Sequence, residues 1–472
     1  MNSIPLLSAH EIAALIRRKT ISPVEVARAH LERIERLNPK LNAFVDYHPE
    51  SVLAQAAEAE KAVLRGEELG PLHGVPLSIK SAIDVAGHRS ESGSRLRVGY
   101  VAAEDATVVA RLRAAGAVIL GVTNVPELLM AWETDNLLYG RTNNPWDLTR
   151  TAGGSSGGEA AAIAAGLSAG GVGSDGGGSI REPAHFCGIC GLKPTPGRIP
   201  STGHYPKSGG PFALIGVVGP MARSIEDLRI MFEVMAGYDD GDPCSAPVEI
   251  RETEKSGLSI GVFEDDGRTP VTAETRLAVK TAASVLSKCG FHVECFRPDG
   301  IEEARQIWED FFVTAGGMIL DPIFRGRDSD LSPILREFLG WTRAKGGHTG
   351  ESLLAAWLGR DSIREKILLQ MRKYPIFLCP TAAIPAFRHG EREWQIEGRT
   401  VKYLDAWSYC EWFNVLGFPA TMVPIAHSAE GLPIGVQIVG RPWQEDGVLS
   451  VATKLEEQRG PWEPPILSDC VV

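Results

Sequence analysis

The 472-residue sequence lacks the features that several function classes require. It has no basic excess. Its 48 lysines and arginines stand against 59 carboxylates, a formal charge of −11, so nucleic acid is not an expected partner. Cysteine is sparse: eight residues are too few for a disulfide framework, and a reducing cytoplasm is the expected location. Long apolar runs are missing as well. The stretch from Ala160 to Gly173 is too short and too glycine-rich to cross a bilayer, so no membrane segment is expected. The opening "MNSIPLLSAHE" has no basic region followed by an apolar core, and it does not read as a signal peptide. The eleven histidines are scattered and none stands in a catalytic or metal motif, which removes the usual base of a hydrolase. Cys187 and Cys190 form half a metal site, but no second CxxC or His-x-x-x-His completes it. Two buried thiols and no metal are the expectation.

What is present is a soluble globular composition, 44% hydrophobic and 23% charged, on a chain long enough to bury a large core. Ser8 and Glu11 fit a capping box ahead of Ile12, Leu15 and Ile16; Ser22, Pro23 and Glu25 repeat the signal ahead of Val26, Leu31 and Ile34. "GVPLSIK" (74–80) reads as a buried strand ending on a lysine. Residues 105–124 read as helix, glycine stop and strand. Residues 157–166 predict a helix of small residues, 170–175 a strand, and "GGGSIR" a loop opening the next helix. After a turn-rich connection at 239–257, "LSIGVFED", a helix over Thr272 to Lys288 and "FHVECF" make a strand-helix-strand unit. Residues 300–373 read as mostly helical, 375–380 and 435–440 as buried strands, and "QEDGVLSVATKLEEQ" as a closing helix. The alternation predicts an α/β fold, a mixed sheet between helical layers with no domain linker.

Residues 153–179 concentrate eleven glycines and five serines in 27 positions. Phosphate is the first ligand to consider for such a run. However, no glycine-lysine-hydroxyl sequence follows it, and the GxGxxG spacing is missing from any early strand-turn-helix. An oxyanion hole fits better. Consecutive backbone N–H groups can converge on one oxygen where no side chain hinders them, and Gly176-Gly177-Gly178 stands immediately before Ser179. A serine nucleophile needs a base. Lys80, at the end of an apolar strand, is the candidate, because desolvation would keep part of it neutral.

Lys80, "GGSSGG" (153–158) and "GSDGGGSIR" (173–181) followed by "FCGICGLKPT" (186–195) together resemble the amidase signature family. The spacing agrees, with 75 residues from Lys80 to Ser155 and 24 more to Ser179. The resemblance spans nearly the whole chain. It implies one amidase domain over 1–472, with a signature core at about 70–235 and a variable substrate-lining part at about 240–410. It also implies a Ser-cisSer-Lys triad: Ser179 as nucleophile, Ser155 as bridge after a cis peptide from Gly154, and Lys80 as base. Backbone amides of Gly176, Gly177, Gly178 and Ser179 would form the oxyanion hole. No cofactor is implied. Position 176 commonly carries threonine or isoleucine in the family, so its glycine here implies a looser loop and a less bulky wall. "TNVPELLMAW" and "NNPWD" lean toward the branch that includes fatty acid amide hydrolase. Leu129, Met130, Ala131 and Trp132 then read either as a substrate lining or as plain core. The expected function is hydrolysis of a small neutral amide through a seryl acyl-enzyme, with homodimerisation left open. Two alternatives stand beside it: the glutamine-hydrolysing A-subunit of a tRNA-dependent amidotransferase, and a non-catalytic binding protein on the same fold.

Overall fold

The computed structural model describes residues 4–207, 209–250 and 257–465. The chain opens as its capping signals dictate. Helices Ala9–Arg17 and Pro23–Leu41 each begin on a complete capping box, Ser8 with Glu11 and Ser22 with Glu25. Each serine accepts one otherwise unpaired N–H of the first helical turn, and each glutamate returns to the serine's own N–H. Ile12, Ile16, Val26 and Ile34 are buried, while Leu15 and Leu31 are only half-buried.

The strands are β1 (Phe44–Tyr47), β2 (Pro76–Lys80), β3 (Val118–Thr123), β4 (Gly170–Asp175), β5 (Cys190–Lys193), β6 (Val217–Ala222) and β7 (Ser259–Val262). They continue as β8 (His292–Cys295), β9 (Ile376–Pro380), β10 (Glu393–Ile396), β11 (Arg399–Lys402), β12 (Ala420–His427) and β13 (Pro433–Gly440). Among the described residues, eleven of them form one mixed sheet in the order β1-β3-β2-β4-β6-β5-β12-β13-β9-β7-β8, with β10 and β11 as a separate hairpin. The α/β expectation and the strand-helix-strand unit at 259–295 stand as read. Residues 251–256 of the anticipated 239–257 connection lie outside the described residues. No helix among the described residues is long and apolar enough to cross a membrane.

Three features of this sheet position the site. β2 runs parallel to both β3 and β4, so Lys80, Thr123 and Asp175 end neighbouring strands on the same side. The carboxyl ends of parallel strands are where α/β sheets place ligands. The small-residue helix Gly157–Ala164 is wholly buried against this point. Its closeness explains part of the glycine content, since a Cβ at Gly171 would lie 1.7 Å from Glu159 Oε1, and one at Gly158 would lie 2.4 Å from the Asn124 nitrogen. Finally, a helix runs without a break from Ile301 to Phe324, α-helical at both ends and π-helical over Glu309–Ala315. It passes over the glycine loop after β4, where Phe312 and Gly316 face the same cavity as Gly176.

Candidate active site

Lys80 is fully buried at the end of β2. Its Nζ donates to Ser155 Oγ at 2.7 Å, to Ser156 Oγ at 2.8 Å and to the Ser174 carbonyl at 3.3 Å. Burial pushes its pKa down to about 7, against the pull of Asp175 and Glu159. Its anionic neighbours are occupied elsewhere. Glu159 accepts from Thr123 Oγ1 at 2.7 Å and from Ser78 Oγ, and burial lifts its pKa to about 7. Burial would raise the Asp175 carboxyl too, but the Arg181 guanidinium at 3.0 Å outweighs it and holds the group below the usual carboxylate range. The lysine therefore sits among hydroxyls and reaches no carboxylate within hydrogen-bonding distance.

Ser155 and Ser156 lie in the turn that opens the helix Gly157–Ala164, and the Gly154–Ser155 peptide is cis, as the family resemblance implies. The Ser156 N–H donates to the Ser179 carbonyl at 3.2 Å, tying this turn to the glycine loop. Ser155 and Ser179 both open onto one cavity, and no hydrogen bond joins their hydroxyls. Ser156, which the sequence reading did not single out, shares Lys80 with Ser155. Its adjacency to Ser155 in the same turn is the one signal the sequence offered.

The structure revises three of the sequence expectations. Of the four proposed oxyanion-hole donors, Gly178 is already engaged, its N–H donating to Asp175 Oδ1 at 2.7 Å. The N–H groups of Gly176, Gly177 and Ser179 meet no acceptor among the described residues. Of the proposed substrate lining, Leu129 and Met130 face the cavity and Ala131 and Trp132 do not. Ala131 backs onto Gly154, where a Cβ would meet its carbonyl at 2.7 Å. Trp132 is buried against Trp308, Tyr403 and Trp407 and donates from Nε1 to the Gly177 carbonyl at 3.0 Å. The less bulky wall expected at position 176 is absent, because the Phe312 ring stands 3.2 Å from where a Cβ would be.

The cavity walls come in part from the stretch at about 240–410 that the resemblance implied as substrate-lining, through Phe312, Ile319 and Leu320, and in part from positions between Ser201 and Val218, which the sequence did not mark as lining. Leu128, Phe212, Ile215, Val217 and Val218 line it together with Phe312, Ile319 and Leu320, and the Phe212 and Phe312 rings meet edge to face at 6.0 Å. Lys207, His204 and Ser201 supply the polar exceptions. His204 donates from Nδ1 to the Pro206 carbonyl at 2.9 Å, and burial lowers its pKa to about 4, so the ring is neutral at physiological pH and its Nε2 accepts from Ser174 Oγ at 2.9 Å.

Cys187 and Cys190 are separately buried, with Sγ contacts to the carbonyls of Ala152 and Arg223, and burial raises both thiol pKa values. A different group could hold a cation. Asp46, His48 and His88 bring one ligand atom each within 4.8 Å of one another, at the β1 edge and away from the cavity lining.

Residues 25–449 match the amidase family. The chain is 34% identical over 483 residues to the A-subunit of a glutamyl-tRNA(Gln) amidotransferase from Carboxydothermus hydrogenoformans, covering 96% of this chain and 97% of that one. It is 34% identical over 481 residues to an acylamidase of Rhodococcus erythropolis, covering 99% and 98%. A solved structure of a fatty acid amide hydrolase superposes with a TM-score of 0.86 at 27% identity, covering 98% of this chain and 86% of that one. With the match running through Lys80, Ser155 and Ser179, the chain belongs to the amidase family, and it is a hydrolase of amide C–N bonds.

Proposed function

We propose that the chain hydrolyses small neutral carboxylic amides with an apolar acyl group, using Ser179, Ser155 and Lys80. One observation carries this reading: a neutral-prone lysine buried between two hydroxyls, beneath an apolar cavity onto which Ser179 opens. Ser179 Oγ attacks the amide carbon while its proton passes through the Ser155 hydroxyl to Lys80 Nζ. The carbonyl electrons move to oxygen, where the N–H groups of Gly176, Gly177 and Ser179 receive the charge. Collapse breaks the C–N bond, and the proton returns from Lys80 through Ser155 to the departing amine or ammonia. Water then attacks the acyl-enzyme by the same relay, releasing the acid and restoring Ser179. A reducing cytoplasm suits a chain whose seven described cysteines are all unpaired.

Identity does not choose between the acylamidase and amidotransferase relatives, since both stand at 34%. The cavity favours the neutral amide. Bound glutamine brings a carboxylate and an ammonium, each needing a partner once desolvated. Lys207 could meet the first, but the one carboxylate in the lining, Asp175, is taken by Arg181, Asn414 and Gly178. An alkyl chain instead gains about 0.8 kcal/mol per methylene buried, so two methylenes are worth about tenfold in kcat/KM. The test is kcat/KM along acetamide, butyramide and hexanamide, with free glutamine beside them. A rising series with poor glutamine turnover is expected. A flat series with glutamine fastest would reject the apolar substrate and favour the amidotransferase.

A further inference from the structure

The glycine loop cannot hold its own shape, because three consecutive residues have no side chain with which to anchor it. Something else must fix its peptide planes. The carbonyl of each residue from Asp175 to Gly178 accepts a specific donor: Asn414 Nδ2 at 3.1 Å, Trp308 Nε1 at 2.8 Å, Trp132 Nε1 at 3.0 Å and the Glu182 N–H at 2.7 Å. In a trans peptide the C=O and the next N–H point in opposite directions across one rigid plane. Fixing the Gly176 carbonyl therefore fixes the aim of the Gly177 N–H. Fixing the Gly177 carbonyl turns the Gly178 N–H onto Asp175, where it donates.

We propose that Trp308 and Trp132 are positioning residues for the oxyanion hole: the Trp308 indole N–H holds the Gly176 carbonyl and so aims the free Gly177 amide at the reacting oxygen. The Trp132 indole N–H holds the Gly177 carbonyl and turns the Gly178 N–H onto Asp175, which anchors the loop on the other side of that amide. This rests on the reading of Ser179 as nucleophile. Indole suits the task because it is a donor only and cannot rotate an acceptor into the loop. Its body also packs in an apolar wall. Trp308 is 1% exposed, stacked on Phe312 at 4.8 Å and 12°. A Cβ at Gly177 would meet it at 2.6 Å, so the indole lies directly on the glycine backbone. The two indoles also pack against each other at 6.1 Å, which couples the clamps.

The test compares wild type with W308F, W132F and a variant carrying β-(3-benzothienyl)alanine at position 308, which keeps the indole's shape but has sulfur in place of N–H. With hexanamide, each is expected to lose about 10–100-fold in kcat, less than the ~10²–10³-fold of deleting an oxyanion donor outright. KM should stay within about threefold, and the pH midpoint near 7 should not move. Affinity for an alkyl boronic acid, which forms a tetrahedral adduct with serine, should fall in parallel with kcat. A benzothienyl variant with wild-type kcat and boronate affinity would overturn the clamp, as would a loss appearing wholly in KM. Ser179→Ala, assayed alongside, separates the two claims. If it retains activity, the nucleophile assignment fails. If it is inactive while the benzothienyl variant is unimpaired, only the clamp fails.

Discussion

The floor of the cavity, around Lys80, is held by hydrogen bonds between short side chains and strand ends, whereas the wall from Phe312 to Leu320 is held by packing of apolar groups. The two regions respond to substitution by different physics. On the floor a lost proton acceptor or donor removes a step of the chemistry. On the wall a lost ring removes contact area and changes which acyl groups are held. The floor should therefore govern kcat for every amide, and the wall should govern the ratio between amides.

The largest expected effect is on the floor. Ser179→Ala should lower kcat by about 10⁴-fold or more, as loss of a nucleophile does, while far-UV circular dichroism and thermal midpoint stay near wild type. Wild-type levels of amide hydrolysis by this variant would dissolve the distinction between floor and wall.

Lys80→Ala should follow, with a loss of several orders of magnitude and a change in pH dependence. The base acts when neutral, and burial places its pKa at about 7, so kcat/KM of the wild type should rise with pH through about 7 and then level. That rise should vanish in the variant. The same shift has a stability sign. Between about 7 and the ordinary lysine value of 10.5 the unfolded chain holds the extra proton, so raising the pH across this window stabilises the fold. Below about 7 both states are protonated and the contribution is flat.

The wall gives a smaller and more selective effect. Phe312→Ala should reduce kcat/KM for hexanamide by about 5–10-fold and leave acetamide within about twofold, since only the longer chain reaches buried apolar surface. Equal losses on both amides would mean that Phe312 supports the floor through its stack on Trp308 rather than selecting the acyl group.

The smallest effect is expected outside both regions. Replacing Cys187 and Cys190 together with alanine should cost about 1–3 kcal/mol of stability from small cavities and leave turnover near wild type. Chelators should leave turnover unchanged. A loss restored by zinc would assign the pair, or the Asp46–His48–His88 group, a role in catalysis.

The floor could be read from sequence because each of its parts leaves a local mark: a lysine ending an apolar strand, paired serines before a small-residue helix, three glycines before a serine. The capping boxes at Ser8 and Ser22 were legible for the same reason. The wall left no such mark. A mostly helical 300–373 was readable, but not which face it turns inward. In an α-helix each step of four residues drifts by about 40°. The π-helical turns of Glu309–Ala315 rotate less per residue and offset that drift, so Trp308, Phe312, Gly316 and Leu320 all meet the site. Nothing in "EDFFVTA" announces the change of period. Leu129 to Trp132 stayed open between lining and core for a related reason. An apolar segment beside a site has two sides, and only the fold decides that Met130 faces the cavity and Trp132 the core. The engagement of Gly178 by Asp175 was equally hidden, because backbone donors carry no residue signature.

The central claim is that Ser179, not either serine bonded to Lys80, makes the covalent bond to the acyl group. Treating the enzyme with an alkyl fluorophosphonate and mapping the modified peptide by mass spectrometry tests it most directly. The account predicts a single adduct on Ser179, formed faster as the pH passes about 7. An adduct on Ser155 or Ser156 would contradict it.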